Sequence, residues 1–146
     1  MQSPLQQLSH PAFDKRSLEV YIKRDDLIHP LISGNKWRKL KYNLIEAKRL
    51  GKTTLLTFGG AFSNHIYSAA VAAKTNGLKS IGIIRGEELD ATNPTLSFAQ
   101  SQGMELRFIS RTEYRLRNSQ DYLEELQQEF PDAYIVPEGG TNSFAI

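Results

Sequence analysis

One lysine of this chain is placed where a protein can use its amine as a nucleophile. Lys36 lies in the octapeptide SGNKWRKL at positions 33–40. Ser33 and Asn35 are residue types that cap helices, and apolar residues follow from Trp37 at helical spacing, so Lys36 is predicted in the first helical turn. The partial positive charge of a helix N-terminus favours loss of the lysine proton, and a neutral amine is the form that makes Schiff bases.

The alternative interpretation of the octapeptide is a solvated basic helix face. Four further basic residues lie close by, namely Arg38, Lys39, Lys41 and Lys48. Such a face could contact nucleic acid, but Trp37 and Leu40 give the helix a side to bury, and no stacking aromatic residues accompany the charges. A nucleic-acid partner is therefore not predicted.

The heptapeptide GGAFSNH at positions 59–65 is a second candidate for binding chemistry. It joins a predicted strand to a predicted helix, at the edge of a parallel sheet where α/β proteins bind ligands. The amides of the helix start and the side chains of Ser63, Asn64 and His65 could hold a carboxylate or a phosphate. The loop lacks the third glycine of a dinucleotide fingerprint and the lysine of a P-loop. The alternative is that Ser63 is only a helix cap and His65 a surface residue.

The elements that position these motifs alternate regularly along the chain. Residues 1–17 are predicted to form an irregular arm. Hydrophobic patterns and breaker residues predict strands at 18–24, 53–58, 80–85, 105–109 and 133–136, and helices at 36–50, 64–76, 93–102 and 119–130. This alternation predicts an α/β fold with a parallel sheet and helices on both faces, in three layers.

Composition excludes several classes of protein. The 146 residues suffice for one ordinary domain, and 18 basic residues against 16 acidic ones leave a net charge of only +2. The chain has no cysteine, so it has no disulfide and no thiolate metal site, and no metal site of another kind is predicted. No apolar run reaches the ~20 residues of a membrane span, and no signal pattern opens the chain, so we expect a cytoplasmic protein without a membrane partner.

The two motifs, together with EGGTN at positions 138–142, resemble the 1-aminocyclopropane-1-carboxylate deaminase and D-cysteine desulfhydrase family. The resemblance extends from about the first predicted strand over most of the chain, in the family's order and spacing. It implies a pyridoxal 5'-phosphate enzyme of fold type II, the class of the tryptophan synthase β-subunit. It also implies a small amino acid as substrate and a homodimer as the complete enzyme.

The resemblance implies a role for each motif residue. Lys36 would form the Schiff base with the cofactor and shuttle the proton at the substrate α-carbon. Asn64 would hydrogen-bond the phenolic oxygen of the cofactor, and Ser63, Asn64 and His65 would receive the substrate carboxylate, with Ser63 near the reacting face. His65 matches the desulfhydrase branch, whereas the deaminases have glutamine there. Phe62 departs from the glutamine of both branches.

The resemblance also implies a division of the chain. Residues 1–50 would begin the large cofactor domain, residues 51–137 would form the small α/β domain, and residues 138–146 would return towards the large domain. Family members are considerably longer, and their phosphate-binding loop and the residue facing the pyridine nitrogen come later, so this chain is interpreted as an N-terminal portion. We expect the 146 residues alone to have little or no activity.

Two functions remain open at this point. One is a pyridoxal-phosphate lyase or deaminase that acts on D-cysteine, giving pyruvate, hydrogen sulfide and ammonia, or on 1-aminocyclopropane-1-carboxylate, giving 2-oxobutanoate and ammonia. The other is a truncated, non-catalytic α/β module that keeps the anion-binding loop and binds a small molecule.

Overall fold

The computed structural model describes residues 3–32, 34–87 and 93–145. Within these ranges the strands and helices follow in the order β1 (Leu5–Leu8), α1 (Pro11–Asp14), β2 (Val20–Lys23), α2 (Asn35–Arg49), β3 (Thr54–Gly59), α3 (Asn64–Thr75), β4 (Lys79–Arg85), α4 (Pro94–Ser101), β5 (Met104–Ile109), α5 (Arg111–Tyr114), α6 (Gln120–Glu129) and β6 (Ala133–Val136). Short 3₁₀ turns occupy Asp25–Leu27, Glu138–Gly140 and Ser143–Ala145.

The central sheet is parallel and has four strands in the order β5-β4-β3-β6. Thr54 at the start of β3 is in register with Lys79 of β4 on one side and with Ala133 of β6 on the other. Both neighbours of β3 run parallel to it, so each connection is a crossover that carries at least one helix. The predicted parallel α/β sheet is therefore confirmed.

Side chains of the two inner strands are buried on both faces of the sheet. Leu55 of β3 packs with residues of α2, α3 and α4, whereas Leu56 and Phe58 pack on the other face with residues of α5 and α6. A strand covered on both sides buries nearly every residue, which explains why β3 and β4 read as continuous apolar runs. The prediction of three layers is confirmed.

Helix α2 begins at Asn35, so Lys36 is its second residue and lies in the first turn as predicted. The predicted capping role of Asn35 is wrong, because Gly34 occupies the capping position and no side chain among the described residues caps this helix. Ser33, the other predicted cap, lies outside the described residues. The apolar stripe of the helix is confirmed: Leu40, Leu44 and Ala47 are buried, and Trp37 packs against the same core.

The predicted irregular arm at residues 1–17 is wrong in part. Strand β1 pairs antiparallel with β2, from Leu5 opposite Lys23 to Leu8 opposite Val20, and α1 follows it. The strand was missed because its residues alternate weakly and two of the four are glutamines. Its partner strand, β2, follows in the chain only after α1 and a loop. The segment is a strand only because of this pairing.

Residues 137–145, called the return segment here, leave the sheet after β6 and pack against α2. Lys39 Nζ donates to Thr141 Oγ1 at 2.7 Å. Asn43, which is fully buried, exchanges two hydrogen bonds with the side chain of Asn142, at 2.7 and 3.2 Å. These contacts join the helix that carries Lys36 to the end of the sheet, while the predicted domain boundaries at 50 and 137 stay a prediction.

The described helices include none with the length and apolar character that a membrane crossing requires.

Because β3 and α3 approach each other closely at Gly59, we expect a methyl group at this position to destabilise the folded protein. A Cβ on Gly59 would lie 2.4 Å from Ile66 Cγ1 and 2.9 Å from Ser63 Oγ, so the strand end and the helix start would have to separate. We expect Gly59→Ala to lower the free energy of unfolding by about 1–3 kcal/mol, measured by urea denaturation.

Gly60→Ala is the matched control for this substitution. A Cβ on Gly60 would find Arg85 Nη2 as its nearest neighbour, at an ordinary contact distance of 3.5 Å. We expect a change of no more than about 0.5 kcal/mol in this variant. Equal effects of the two substitutions would contradict the packing described for the loop.

Candidate active site

The amine of Lys36 lies half-buried at the start of α2 and faces the return segment. Its Nζ donates to the carbonyl oxygen of Gly139 at 3.3 Å. Burial lowers the pKa of Lys36 below its ordinary value, and the positive charge of Lys39 lowers it further. Both effects disfavour the ammonium form, so Lys36 loses its proton more easily than a solvated lysine does.

Two consecutive glycines let the return segment pass between α2 and α3. Gly139 and Gly140 both have positive φ angles, 74° and 76°, a region that side-chain-bearing residues rarely adopt. A Cβ on Gly140 would also lie 3.2 Å from His65 Cε1 and 3.3 Å from Lys39 Cβ. The glycines of the EGGTN motif therefore set both the turn and the close spacing of the two helices.

Ser63 caps helix α3, as the simpler interpretation of its motif predicted. Its Oγ accepts hydrogen bonds from the backbone amides of His65 and Ile66, at 3.2 and 3.3 Å. The hydroxyl hydrogen has no acceptor among the described residues, so it is available to a ligand oxygen. Asn64 is exposed beside it, and none of the described hydrogen bonds uses its side-chain amide. A hydroxyl and an amide donor are thus free at a helix N-terminus, where an anion is favoured.

His65 is buried, with 2% of its surface exposed, so its interpretation as a surface helix residue is wrong. Its Nε2 lies 2.7 Å from Thr57 Oγ1, and that hydroxyl donates to the carbonyl of Val136 at 2.9 Å. A hydroxyl has one hydrogen, so Thr57 must accept from His65, whose proton is thereby assigned to Nε2. Nδ1 then carries the lone pair, and it has no partner among the described residues.

The imidazole of His65 is neutral at pH 7. Burial lowers its pKa to about 4, and the charges of Lys36 and Lys39 act in the same direction. In this state the ring links α3 to the ends of β3 and β6 through Thr57. Its predicted contact with a substrate carboxylate stays a prediction.

A cavity of about 930 Å³ opens beside the 59–65 loop, at the carboxyl end of the sheet. Its lining includes Gly60, Phe62, Ser63, Arg85, Arg111 and Glu138. Ser63 was predicted at such an edge, but the arginines were not, because Arg85 ends β4, Arg111 follows β5, and only the sheet brings them together. The contacts of Thr57, Lys39 and Asn142 were not predicted either, because each of them joins residues far apart in the chain.

The fold and the site define a parallel α/β protein with a half-buried lysine of lowered pKa and with free donor groups at the start of α3. No protein-family model matches the chain. A Thermotoga maritima protein provisionally assigned as 1-aminocyclopropane-1-carboxylate deaminase is 38% identical over 89% of this chain and 42% of its own length. A D-cysteine desulfhydrase of Serratia proteamaculans is 30% identical over 97% of this chain and 44% of its own. A crystal structure of an ACC deaminase homologue, 32% identical, superposes with a TM-score of 0.75 over 99% of this chain and 44% of that one.

The chain is thus related to the 1-aminocyclopropane-1-carboxylate deaminase and D-cysteine desulfhydrase family, as its motifs indicated. It spans about two fifths of the length of the curated relatives that it matches. This share agrees with the interpretation of the chain as a portion of a family member.

Because the buried imidazole of His65 is neutral at pH 7, we expect the protein to be less stable in mild acid. The unfolded chain takes up a proton on this histidine near pH 6.5, whereas the folded chain does so only near pH 4. Stability from this group is complete above pH 6.5 and is lost as the pH falls towards 4, by about 3 kcal/mol. Urea denaturation between pH 4.5 and 7 measures the change.

His65→Gln tests the assignment, since the glutamine amide can still donate to Thr57 and does not titrate. We expect this variant to lose most of the acid dependence, while His10→Gln, which removes an exposed imidazole, should retain it. In ¹⁵N spectra the His65 ring should show a protonated Nε2 at pH 7. A protonated Nδ1 would contradict the hydrogen-bond direction derived from Thr57.

Proposed function

We propose that this chain carries the reactive lysine and the substrate-binding loop of a pyridoxal-phosphate-dependent deaminase or desulfhydrase that acts on a small amino acid. The observation that carries the proposal is the half-buried amine of Lys36, with its lowered pKa, at the return segment that also contacts His65. The relationship to the deaminase and desulfhydrase family supports it.

The residues of the site fit pyridoxal phosphate. Covalent attachment of its aldehyde requires a neutral amine, and burial together with Lys39 favours that form of Lys36. The amine has one weak partner, the Gly139 carbonyl at 3.3 Å, which it can leave. The free amide of Asn64 offers a donor for the phenolic oxygen of the cofactor.

When bound, the cofactor supplies an electron sink for the bond that breaks at the substrate α-carbon. The chain's own residues supply placement and proton transfer. The Ser63 hydroxyl and the amides at the start of α3 would hold the substrate carboxylate and so fix the amino acid in one orientation. The amine of Lys36 would accept and return the proton at the α-carbon.

We propose D-cysteine as the first choice of substrate and 1-aminocyclopropane-1-carboxylate as the second. His65 supports this order, because it matches the desulfhydrase branch at a position where the deaminases have glutamine. The proposed complete enzyme is a cytoplasmic homodimer. The 146 residues alone should turn over weakly, since a cofactor dianion needs several donors and the family's phosphate-binding loop lies beyond the part of the family that this chain matches.

The residue that binds the cofactor covalently can be identified by reduction and peptide mapping. After incubation with pyridoxal phosphate and reduction with borohydride, peptide mapping of the protein at its full encoded length should find the pyridoxyl group on Lys36. Lys36→Ala should remove the label and reduce turnover by at least about 10³-fold, as loss of a covalent catalyst does.

Lys41→Ala is the matched control, since it removes an exposed lysine from the same helix. This variant should retain both the label and the activity. A label on Lys39 or Lys41, or full activity of Lys36→Ala, would overturn the assignment. Absence of any bound cofactor would favour the non-catalytic binding module.

The substrate is distinguished by its products. Protein of full encoded length, saturated with pyridoxal phosphate, should form equal amounts of pyruvate and sulfide from D-cysteine, detected by coupled reduction of pyruvate and by a sulfide dye. Formation of 2-oxobutanoate from the cyclopropane amino acid, without sulfide from D-cysteine, would reverse the proposed order. The 146-residue chain assayed in parallel should show little turnover of either compound.

A further inference from the structure

A second cavity, of about 360 Å³, adjoins the one beside the 59–65 loop and is lined by five residues, Arg85, Arg111, Tyr114, Arg115 and Arg117. Its lining therefore contains four guanidinium groups and no carboxylate. Arg85 and Arg111 line both cavities, so they lie at the boundary between them.

The sheet brings these arginines together. Arg85 is the last residue of β4, and Arg111 follows the neighbouring strand β5 by two residues. Arg85 is in register with Ile109, which fixes the two strand ends side by side. Parallel strands direct their carboxyl ends to one edge, where open α/β sheets bind their ligands.

A buried aromatic ring holds part of the cluster. Tyr114 is 2% exposed, and the guanidinium carbons of Arg85 and Arg117 lie 5.8 and 4.8 Å from the centre of its ring. Such cation–π contacts orient a planar guanidinium and leave its N–H groups free for a second partner. The Nη2 of Arg85 also lies near Gly60, at the start of the loop that carries Ser63.

The charges of the cluster are not balanced within the described residues. Arg117 is paired with Glu138, at 2.8 Å, but Arg85, Arg111 and Arg115 form no ion pair with a described carboxylate. The larger cavity also contains Glu87, which faces the same region without an ion pair among the described residues. Three guanidiniums without a carboxylate partner among the described residues lie around one concave space. They favour an anion with several oxygens, because each guanidinium can donate a bidentate pair of hydrogen bonds.

We propose that Arg85, Arg111 and Arg115 form an oxyanion site at the mouth of the substrate cleft, which takes a phosphate or carboxylate group. The site adjoins the donors of Ser63, because Ser63 lines the larger cavity together with Arg85 and Arg111, but it is formed by different residues. It goes beyond the deaminase or desulfhydrase activity and does not depend on Lys36 or on the cofactor.

Inorganic phosphate is the probe, and isothermal titration calorimetry at constant ionic strength is the measurement. The protein at its full encoded length should bind phosphate saturably. Arg85→Gln and Arg111→Gln should each weaken that binding by roughly tenfold, as expected for loss of charged hydrogen bonds. Arg85→Lys keeps the positive charge but loses the paired N–H donors of the guanidinium, so its affinity for phosphate should lie between those of wild type and Arg85→Gln. Glu87→Gln, which removes a negative charge, should tighten the binding.

Arg49→Gln is the matched control, because Arg49 is an exposed arginine outside the cluster. It ends α2, just before the start of β3, and so lies at the opposite end of the sheet from the cluster. It should leave phosphate binding unchanged. Circular dichroism and a thermal melt show that each variant is folded. Absence of saturable binding, or equal binding by Arg85→Gln, Arg111→Gln and wild type, would overturn the proposal, whatever the outcome for Lys36.

The same variants distinguish the source of the anion. If the anion is part of the amino acid, D-aspartate should bind better than D-alanine, and Arg85→Gln should abolish the difference. If the anion is a separate molecule, phosphate and D-alanine should bind together, and D-aspartate should have no advantage. Either result supports an oxyanion site at these arginines.

Discussion

The insertion of the return segment between α2 and α3 is the contact on which the geometry of the candidate site depends. The buried amide of Asn43 supports it, since it pairs with Asn142 through both of its polar atoms and also donates to the carbonyl of Lys39 at 2.6 Å. Unpaired, these buried groups would each cost about 1–3 kcal/mol. The hydrogen bonds therefore tie the lysine-bearing helix to the end of the sheet and fix the position of Lys36.

Burial and like charge act together in this region. Lys36 and His65 both have lowered pKa values, burial is the larger cause for each, and positive charge is the smaller one. The result is a partly buried, positively charged space in which the amine of Lys36 loses its proton more easily than in water and the imidazole of His65 stays neutral. An anion that enters gains from the field of Lys39 and from the start of α3, and it would raise the pKa of both groups. Ligand binding and protonation are thus expected to be coupled.

The carboxyl end of the sheet gathers groups from distant parts of the sequence. The loop that carries Ser63 follows β3, Arg85 ends β4, Arg111 follows β5, and the return segment follows β6. A parallel sheet makes this arrangement unavoidable, because all of its strands end at one edge. The proposed substrate site and the proposed oxyanion site are neighbours for that reason, and Ser63, Arg85 and Arg111 line one cavity.

The sequence by itself determined the alternation of strands and helices from residue 53 onward, the first-turn position of Lys36 and the capping of α3 by Ser63. These features depend on local periodicity, turn residues and short-range hydrogen bonds, which the chain order contains. Only the tertiary structure decided that β1 is a strand, that His65 is buried with its proton on Nε2, and that four arginines surround one cavity. Each of these depends on partners far away in the chain: Lys23 for Leu5, Thr57 and Val136 for His65, and the strand register for Arg85 and Arg111. Strand pairing and burial are long-range contacts, and no local pattern in the sequence specifies them.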